Sequence, residues 1–220
     1  MTGMARKRVA ILISGRGSNM AALIEAAKAA DYPAEIALVL SNRPDAEGLK
    51  RAAAAGIATT VVDHARYGKD RESFERALDD ALHAHRIDLI CLAGFMRLLT
   101  PWFVGRWEGR MLNVHPALLP AFKGLDTHER ALAAGVKKHG ATVHFVMPET
   151  DAGPIIVQGR LKVREDDTAE TLAARVLEIE HRIYPLALKL VAAGHVRMID
   201  GKCHMDVRLD ADGELIPPED

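Results

Sequence analysis

Short apolar runs alternate with stretches of helical periodicity along most of this chain, and no other property narrows its fold so far. The runs Arg8–Ile13, Glu35–Leu40, Ala58–Val62, Asp88–Ala93, Arg110–Val114 and Thr142–Val146 read as buried strands. Between them, Asn19–Ala30, Ala46–Ala55, Arg71–His85 and His128–Ala134 read as helices. In the third of these helices Phe74, Leu78 and Leu82 share one face. Such alternation predicts an α/β fold of Rossmann-like type, an open, mostly parallel twisted sheet with helices on both faces.

The texture changes after Gly153-Pro154. Ile155–Val163 reads as a long strand, and a long helix follows from about Thr168 to Ala193. Thr168-Ala169-Glu170-Thr171 is its expected start, and Leu172, Val176, Ile179, Ile183, Leu186 and Leu190 are its expected buried stripe. Pro185 is expected to interrupt and kink it. The segment His195–Ile216 reads as short strands with a turn at Asp212-Gly213. One domain over residues 1–200, with residues 201–220 as a small C-terminal β appendage, is the simplest organisation.

Composition excludes several function classes. With 29 Lys and Arg against 30 Asp and Glu there is no global field to draw in nucleic acid or an anionic membrane, so an anionic ligand needs a local site. The longest aliphatic stretches, Val9–Ile13 and Ile36–Leu40, fall far short of a bilayer span, and the basic N-terminus lacks a signal-peptide h-region. Two cysteines are too few for a disulfide framework, which points to a reducing compartment, the cytoplasm by default. Cys91 lies in the apolar run Leu89-Ile90-Cys91-Leu92 and reads as a core residue. No HExxH and no Cys/His cluster appears, so no bound metal is expected.

Three places can carry chemistry. Ser14-Gly15-Arg16-Gly17-Ser18-Asn19 follows the first strand and opens a helix. Glycines let a ligand approach the backbone, and free N–H groups at a helix start attract phosphate. The segment lacks the third glycine of the dinucleotide fingerprint, so a single phosphate suits it better than a pyrophosphate; a tight turn capped by Ser18 is the plainer alternative. Ala93-Gly94-Phe95-Met96-Arg97-Leu98-Leu99 lies just beyond a strand end, where open parallel sheets bind ligands, and can line a flat, partly apolar pocket or simply be core. Asn113-Val114-His115-Pro116 closes the next strand, with period-two spacing placing Asn113 and His115 on one side.

A carboxamide can donate to a developing oxyanion, an imidazole can move a proton near neutral pH, and a carboxylate from elsewhere can orient that imidazole. Asp151, in the loop Pro148–Gly153 with Glu149 near it, is the candidate carboxylate. Together these groups suit acyl-type transfer through a tetrahedral intermediate, with the acceptor supplying the attacking atom because no nucleophilic serine or cysteine adjoins them. A turn asparagine, a structural histidine and solvating acids are the plainer readings. His83, His85, His139 and His144 are read as structural.

In this order and spacing, Ser14–Asn19, Leu92-Ala93-Gly94-Phe95-Met96-Arg97, Asn113–Pro116, Asp151-Ala152-Gly153-Pro154 and Glu180-His181 resemble the phosphoribosylglycinamide formyltransferases, the folate-dependent enzymes of purine biosynthesis. The resemblance runs from about Arg8 to Ile199. It implies the formyltransferase version of the Rossmann-like fold. It also implies transfer of the formyl group of 10-formyltetrahydrofolate to the amino group of glycinamide ribonucleotide, with His115 as proton donor, Asn113 holding the oxyanion and Asp151 raising the His115 pKa. Gly17, Ser18 and Asn19 would hold the phosphate and Glu180 would contact the nucleotide. Arg71, Met96, Arg97, Leu98, Leu99 and Asn113, with Met147, Pro148, Glu149, Thr150 and Asp151, would border the folate. Departures from the family pattern are Leu177, at a place often polar, Asp126, where some members have histidine, and Ala152, where glycine is commoner.

Rival readings are a formyltetrahydrofolate deformylase, a methionyl-tRNA formyltransferase and a noncatalytic nucleotide-binding module or dehydrogenase. An expected absence of an N-terminal regulatory domain, and Pro116 after His115, disfavour the deformylase. Length and charge disfavour the tRNA enzyme, and the incomplete glycine pattern disfavours the dehydrogenase. The expected partners are small molecules, not nucleic acid or membrane, and the expected assembly is a monomer or homodimer.

Overall fold

The computed structural model describes residues 5–209 and 215–216. Its order is β1 (Lys7–Ile13), α1 (Ser18–Ala26), β2 (Ala34–Ser41), α2 (Glu47–Ala54), β3 (Thr59–Val61) and a 3-10 turn at His64–Tyr67. Next come α3 (Arg71–Ala84), β4 (Leu89–Leu92), α4 (Pro101–Arg106), β5 (Met111–His115) and α5 (Thr127–Ala133). The last elements are β6 (Lys138–Phe145), β7 (Ile155–Lys162), α6 (Ala169–Ala192), β8 (Val196–Ile199), β9 (Lys202–Met205), β10 (Arg208–Leu209) and β11 (Leu215–Ile216).

Seven strands form one sheet in the order β3-β2-β1-β4-β5-β6-β7. From β3 to β5 neighbouring strands are parallel, while β6 pairs antiparallel with both β5 and β7. The chain moves from β1 outward to β2 and then returns to the other side of β1 for β4. Strand order therefore reverses between β1 and β4, and open α/β sheets place their ligand crevice at the carboxyl ends of such a pair.

Period-two alternation divides the core. Val9, Ile11 and Ile13 join Leu23 of α1 and Leu172, Val176 and Leu188 of α6 on one face. Ala10 and Leu12 join Phe74, Leu78 and Leu82 of α3, with Phe103 and Trp107, on the other. Since β1 is covered on both faces, its apolar run is continuous, as expected of a central parallel strand. The Tyr184 hydroxyl of α6 lies 3.0 Å from the carbonyl oxygens of both Leu92 and Leu112, tying the helix to β4 and β5.

Several elements differ from the sequence reading. Helix α4 is an element beyond those expected, although Thr100-Pro101 signals it: the Thr100 hydroxyl caps Phe103 N, and proline at the first helical position has no N–H to waste. Strand β6 begins at Lys138 rather than Thr142, because residues 138–141 pair with residues 159–162 of β7 despite containing the weak strand formers Gly140 and Ala141. Helix α1 ends at Ala26, not Ala30. Helix α6 runs unbroken through Pro185, held by the buried Ile183, Tyr184, Ala187 and Leu188 around it. Its start is a reciprocal capping box between Thr168 and Thr171.

β8 and β9 form a hairpin separate from the large sheet, as do β10 and β11. A division at residue 200 falls in the turn between β8 and β9. The expected turn at Asp212-Gly213 lies outside the described residues. Among the described residues no helix is long and apolar enough to cross a membrane.

Candidate active site

At the end of β1 the chain turns sharply into α1. Gly17, at the helix N-cap, has a left-handed φ of 71°, a conformation only glycine adopts freely, and no side chain caps the helix. The capping role considered for Ser18 is not observed, since Ser18 is the first helical residue. The first N–H groups of α1 thus lack a side-chain acceptor and face a cleft of about 430 Å³. Residues 14–19 line one side of it, Ala93, Gly94, Met96 and Arg97 another, and Asn42, Arg43 and His64 the third.

Asn19 and Glu180 meet beside the cleft. Asn19 Nδ2 donates to Glu180 Oε2 at 2.6 Å, and Asn19 Oδ1 is buried without a partner. Burial pushes the Glu180 carboxyl above its usual range, partly offset by the Asn19 bond. Glu180 is not on the cleft wall itself and reaches it through Asn19.

Beyond β4 the chain is exposed. Met96 is 70% and Leu98 68% exposed, which removes the core reading for these two, whereas Ala93 is buried and Phe95 and Leu99 pack against the core face that holds Phe103. Arg97 and Leu99 are half-buried. Arg71, at the start of α3, donates to the Leu98 carbonyl and so holds this rim from below. Met147 is half-buried, and Pro148, Glu149 and Thr150 are exposed, in the loop between β6 and β7.

A second group lies at the end of β5. Asn113 and His115 sit two residues apart there, paired across to His144 and Thr142 of β6. Thr142 Oγ1 donates to the Ala117 carbonyl at 2.7 Å and accepts from Leu119 N at 3.1 Å, which fixes the loop after His115. Asp151 returns from the β6–β7 loop with a φ of 50°. It can approach because Gly153 has no side chain: a Cβ there would lie 1.7 Å from the Phe145 carbonyl oxygen.

Asp151 Oδ2 accepts from Gly124 N at 2.9 Å and lies 3.4 Å from His115 Nδ1, an ion-pair distance longer than a good hydrogen bond. On the other side of the ring, His115 Nε2 donates to the Phe122 carbonyl at 2.9 Å. Both ring nitrogens thus face oxygen, Nε2 in a hydrogen bond and Nδ1 at ion-pair distance from the carboxylate.

His144, read from sequence as structural, belongs to this group. Its Nδ1 donates to the Phe145 carbonyl at 2.8 Å, which leaves Nε2 as an acceptor 3.3 Å from Asn113 Nδ2. Burial is the main cause that lowers its pKa and keeps the ring neutral, against the Phe145 carbonyl and Asp151. Nε2 is also 3.8 Å from Asp151 Oδ1. Strand pairing with Asn113 is a tertiary signal, so sequence spacing could not reveal it. Asn42, Arg43, His64 and Phe122 were missed for the same reason.

A sequence profile of the formyl transferase family matches residues 7–188. Phosphoribosylglycinamide formyltransferase of Escherichia coli K12 is 41% identical over 211 residues, which span 96% of each chain. The chain belongs to the phosphoribosylglycinamide formyltransferase family. Membership covers both groups described above, since Ser14 through Glu180 fall within the matched span. The trifunctional purine biosynthetic protein adenosine-3 of Gallus gallus is 52% identical over 87% of this chain, but the chain spans only 19% of that protein's length. Among solved structures, glycinamide ribonucleotide transformylase 1 of Symbiobacterium toebii superposes with a TM-score of 0.87 at 43% identity, covering 91% of this chain and 94% of that one. That likeness agrees with the formyltransferase form of the sheet, antiparallel β6 and β7 included.

Proposed function

We propose that this chain transfers the formyl group of 10-formyltetrahydrofolate to the amino group of glycinamide ribonucleotide in de novo purine biosynthesis. The observation that carries this reading is the convergence of Asn113, His115 and Asp151 at the end of β5, in a chain whose β1–α1 turn offers uncapped N–H groups to a phosphate.

In the proposed reaction the substrate amine attacks the formyl carbon, and a C–N bond forms as the carbonyl oxygen becomes anionic. Asn113 has one amide hydrogen committed to His144, which leaves the other for that oxygen. Collapse breaks the bond to the folate nitrogen, which takes a proton from the His115 imidazolium, and the proton released by the attacking amine returns the neutral imidazole to its charged form, directly or through water. Asp151 pairs with that imidazolium, and delivery of the proton requires one of the two oxygen contacts of His115 to open. Gly17, Ser18 and Asn19 are the proposed phosphate seat and Glu180 the nucleotide contact. Arg71, Met96, Arg97, Leu98, Leu99 and residues 147–151 are the proposed folate border. Both cysteines are free, Cys91 buried and Cys203 half-buried, which supports a reducing, cytoplasmic setting.

The test is turnover of both substrates by purified protein without ATP or metal, followed by folate absorbance with and without glycinamide ribonucleotide. Cofactor consumption that depends on the amine supports transfer. Equal consumption without it would instead identify a hydrolase of the deformylase type.

A further inference from the structure

The crevice between β1 and β4 is bridged by one hydroxyl. Backbone pairing between these strands continues past their ends through Ala93 N to the Leu12 carbonyl at 2.9 Å and Ser14 N to the Gly94 carbonyl at 3.1 Å. There the backbones part, because Ser14 begins the turn into α1 and Gly94, at a φ of 73°, begins the exposed rim. The Ser14 side chain takes over. Its Oγ accepts from Met96 N at 2.8 Å and donates to Asn42 Oδ1 at 2.6 Å. Asn42, just past β2, is itself pinned by His64, whose Nδ1 donates to the Asn42 carbonyl at 2.8 Å. Ser14 is 7% and Asn42 2% exposed, so water competes poorly for these bonds.

All three sides of the cleft therefore hang on Ser14. It is the first residue of the phosphate turn, it holds the backbone of the rim at Met96, and it anchors on the Asn42 wall. We propose that Ser14 is a positioning residue that couples the two halves of the site, so that occupancy of the folate rim tightens binding at the phosphate turn and the reverse. The inference rests on the reading of function above. Its physical basis is that either ligand fixes a backbone segment bonded to the same hydroxyl, so the second ligand meets a crevice whose width is already set. Such coupling is reciprocal in equilibrium binding.

The test is calorimetric. The Kd of glycinamide ribonucleotide is measured with and without saturating tetrahydrofolate, which has no formyl group to transfer. In the wild type the folate tightens nucleotide binding at least about fivefold, the lower end of ordinary coupling between sites. In Ser14→Ala the factor falls below about twofold, while Ser14→Thr, which keeps the hydroxyl, retains it. Asn42→Ala lowers it as well, and adding Ser14→Ala to Asn42→Ala lowers it little further, as expected for residues acting as one unit. Thermal melting separates coupling from folding: a merely structural serine would lower the melting temperature and leave the coupling factor intact. An unchanged factor in folded Ser14→Ala, loss of it in both Ser14 variants, or no coupling in the wild type overturns the inference. Turnover by the wild type is a separate measurement, and its absence overturns the functional reading instead.

Discussion

His115 Nδ1 lies 3.4 Å from Asp151 Oδ2, and the two residues reach each other from different strand ends through a loop that Gly153 allows to pass against Phe145. Both side chains are more than nine-tenths buried, so water screens the interaction between them little. The same carboxylate oxygen accepts from Gly124 N, which fixes it relative to the loop that carries Phe122. His115 is thereby clamped between Asp151 and the Phe122 carbonyl.

Asp151→Asn keeps the shape of that clamp and removes its charge. The expected outcome is a fall in kcat of roughly 10²–10³-fold, the scale of losing an effective general acid, with KM values changed only a few-fold. Steady-state kinetics across pH checks this, and a variant with near-normal kcat and the wild-type pH profile would sink the assignment.

His144 is expected to act through Asn113. His144→Ala removes the acceptor that orients the amide, and kcat should fall about 10-fold, a loss of about 1.4 kcal/mol. Asn113→Ala should cost more, and the double variant should be no slower than Asn113→Ala alone. Fully additive losses in that cycle would show that His144 works independently of Asn113.

Gly17→Ala tests the phosphate turn. A Cβ would sit 3.0 Å from Met20 Cε, so the Met20 side chain must give way slightly, and the new residue would be held at a left-handed φ of 71°. The left-handed penalty is about 1–2 kcal/mol for a non-glycine residue. The KM for the ribonucleotide is expected to rise about 10-fold and the folate KM by less than about threefold. A larger effect on the folate KM would contradict the placement of the phosphate.

His139 predicts a pH dependence of stability. It is buried, and burial first, then the neighbouring His128 and His115, push its pKa down from 6.5 to about 4. Between those values the unfolded chain carries a proton that the folded chain does not, so unfolding gains as pH falls. Its contribution is fully present above pH 6.5 and is lost as pH drops toward 4. From pH 7.5 to 5 this amounts to roughly 1–2 kcal/mol, or about 2–8 °C in melting temperature for a chain of this size. Melting curves of His139→Gln should show that much less acid sensitivity. Equal sensitivity in the two proteins would assign the effect to other groups, such as His128, His144 and His181, whose pKa values are also lowered by burial.

Local patterning made much of the fold legible. The continuous run of β1 and the Phe74, Leu78 and Leu82 face of α3 lie where their periodicity places them, each fully or nearly fully buried. What escaped were elements whose reason lies in a neighbour. Strand β6 extends through Gly140 because β7 pairs with it, and α6 continues through Pro185 because buried packing on both sides supports it. Helix α4 is different, since Thr100-Pro101 signals its start locally.

In the candidate site the same division holds. Asn113 and His115 share a strand end, so period-two geometry already put them side by side. The family pattern singled out Asp151, yet its approach to His115 needs the loop turned by a positive φ and the absent side chain of Gly153. His144 faces Asn113 only by strand register, and Ser14 meets Met96 and Asn42 only where two strands diverge.

Sequence alone determined the α/β architecture, the glycine turn at the end of β1 and the residue types at the end of β5, because hydrophobic period and glycine placement act over a few neighbouring residues. Tertiary structure alone decided how close Asp151 comes to His115, which ring holds the Asn113 amide and which hydroxyl spans the crevice. Those contacts join residues far apart in the chain, and a hydrogen bond depends on distance and angle in space rather than on position along the backbone.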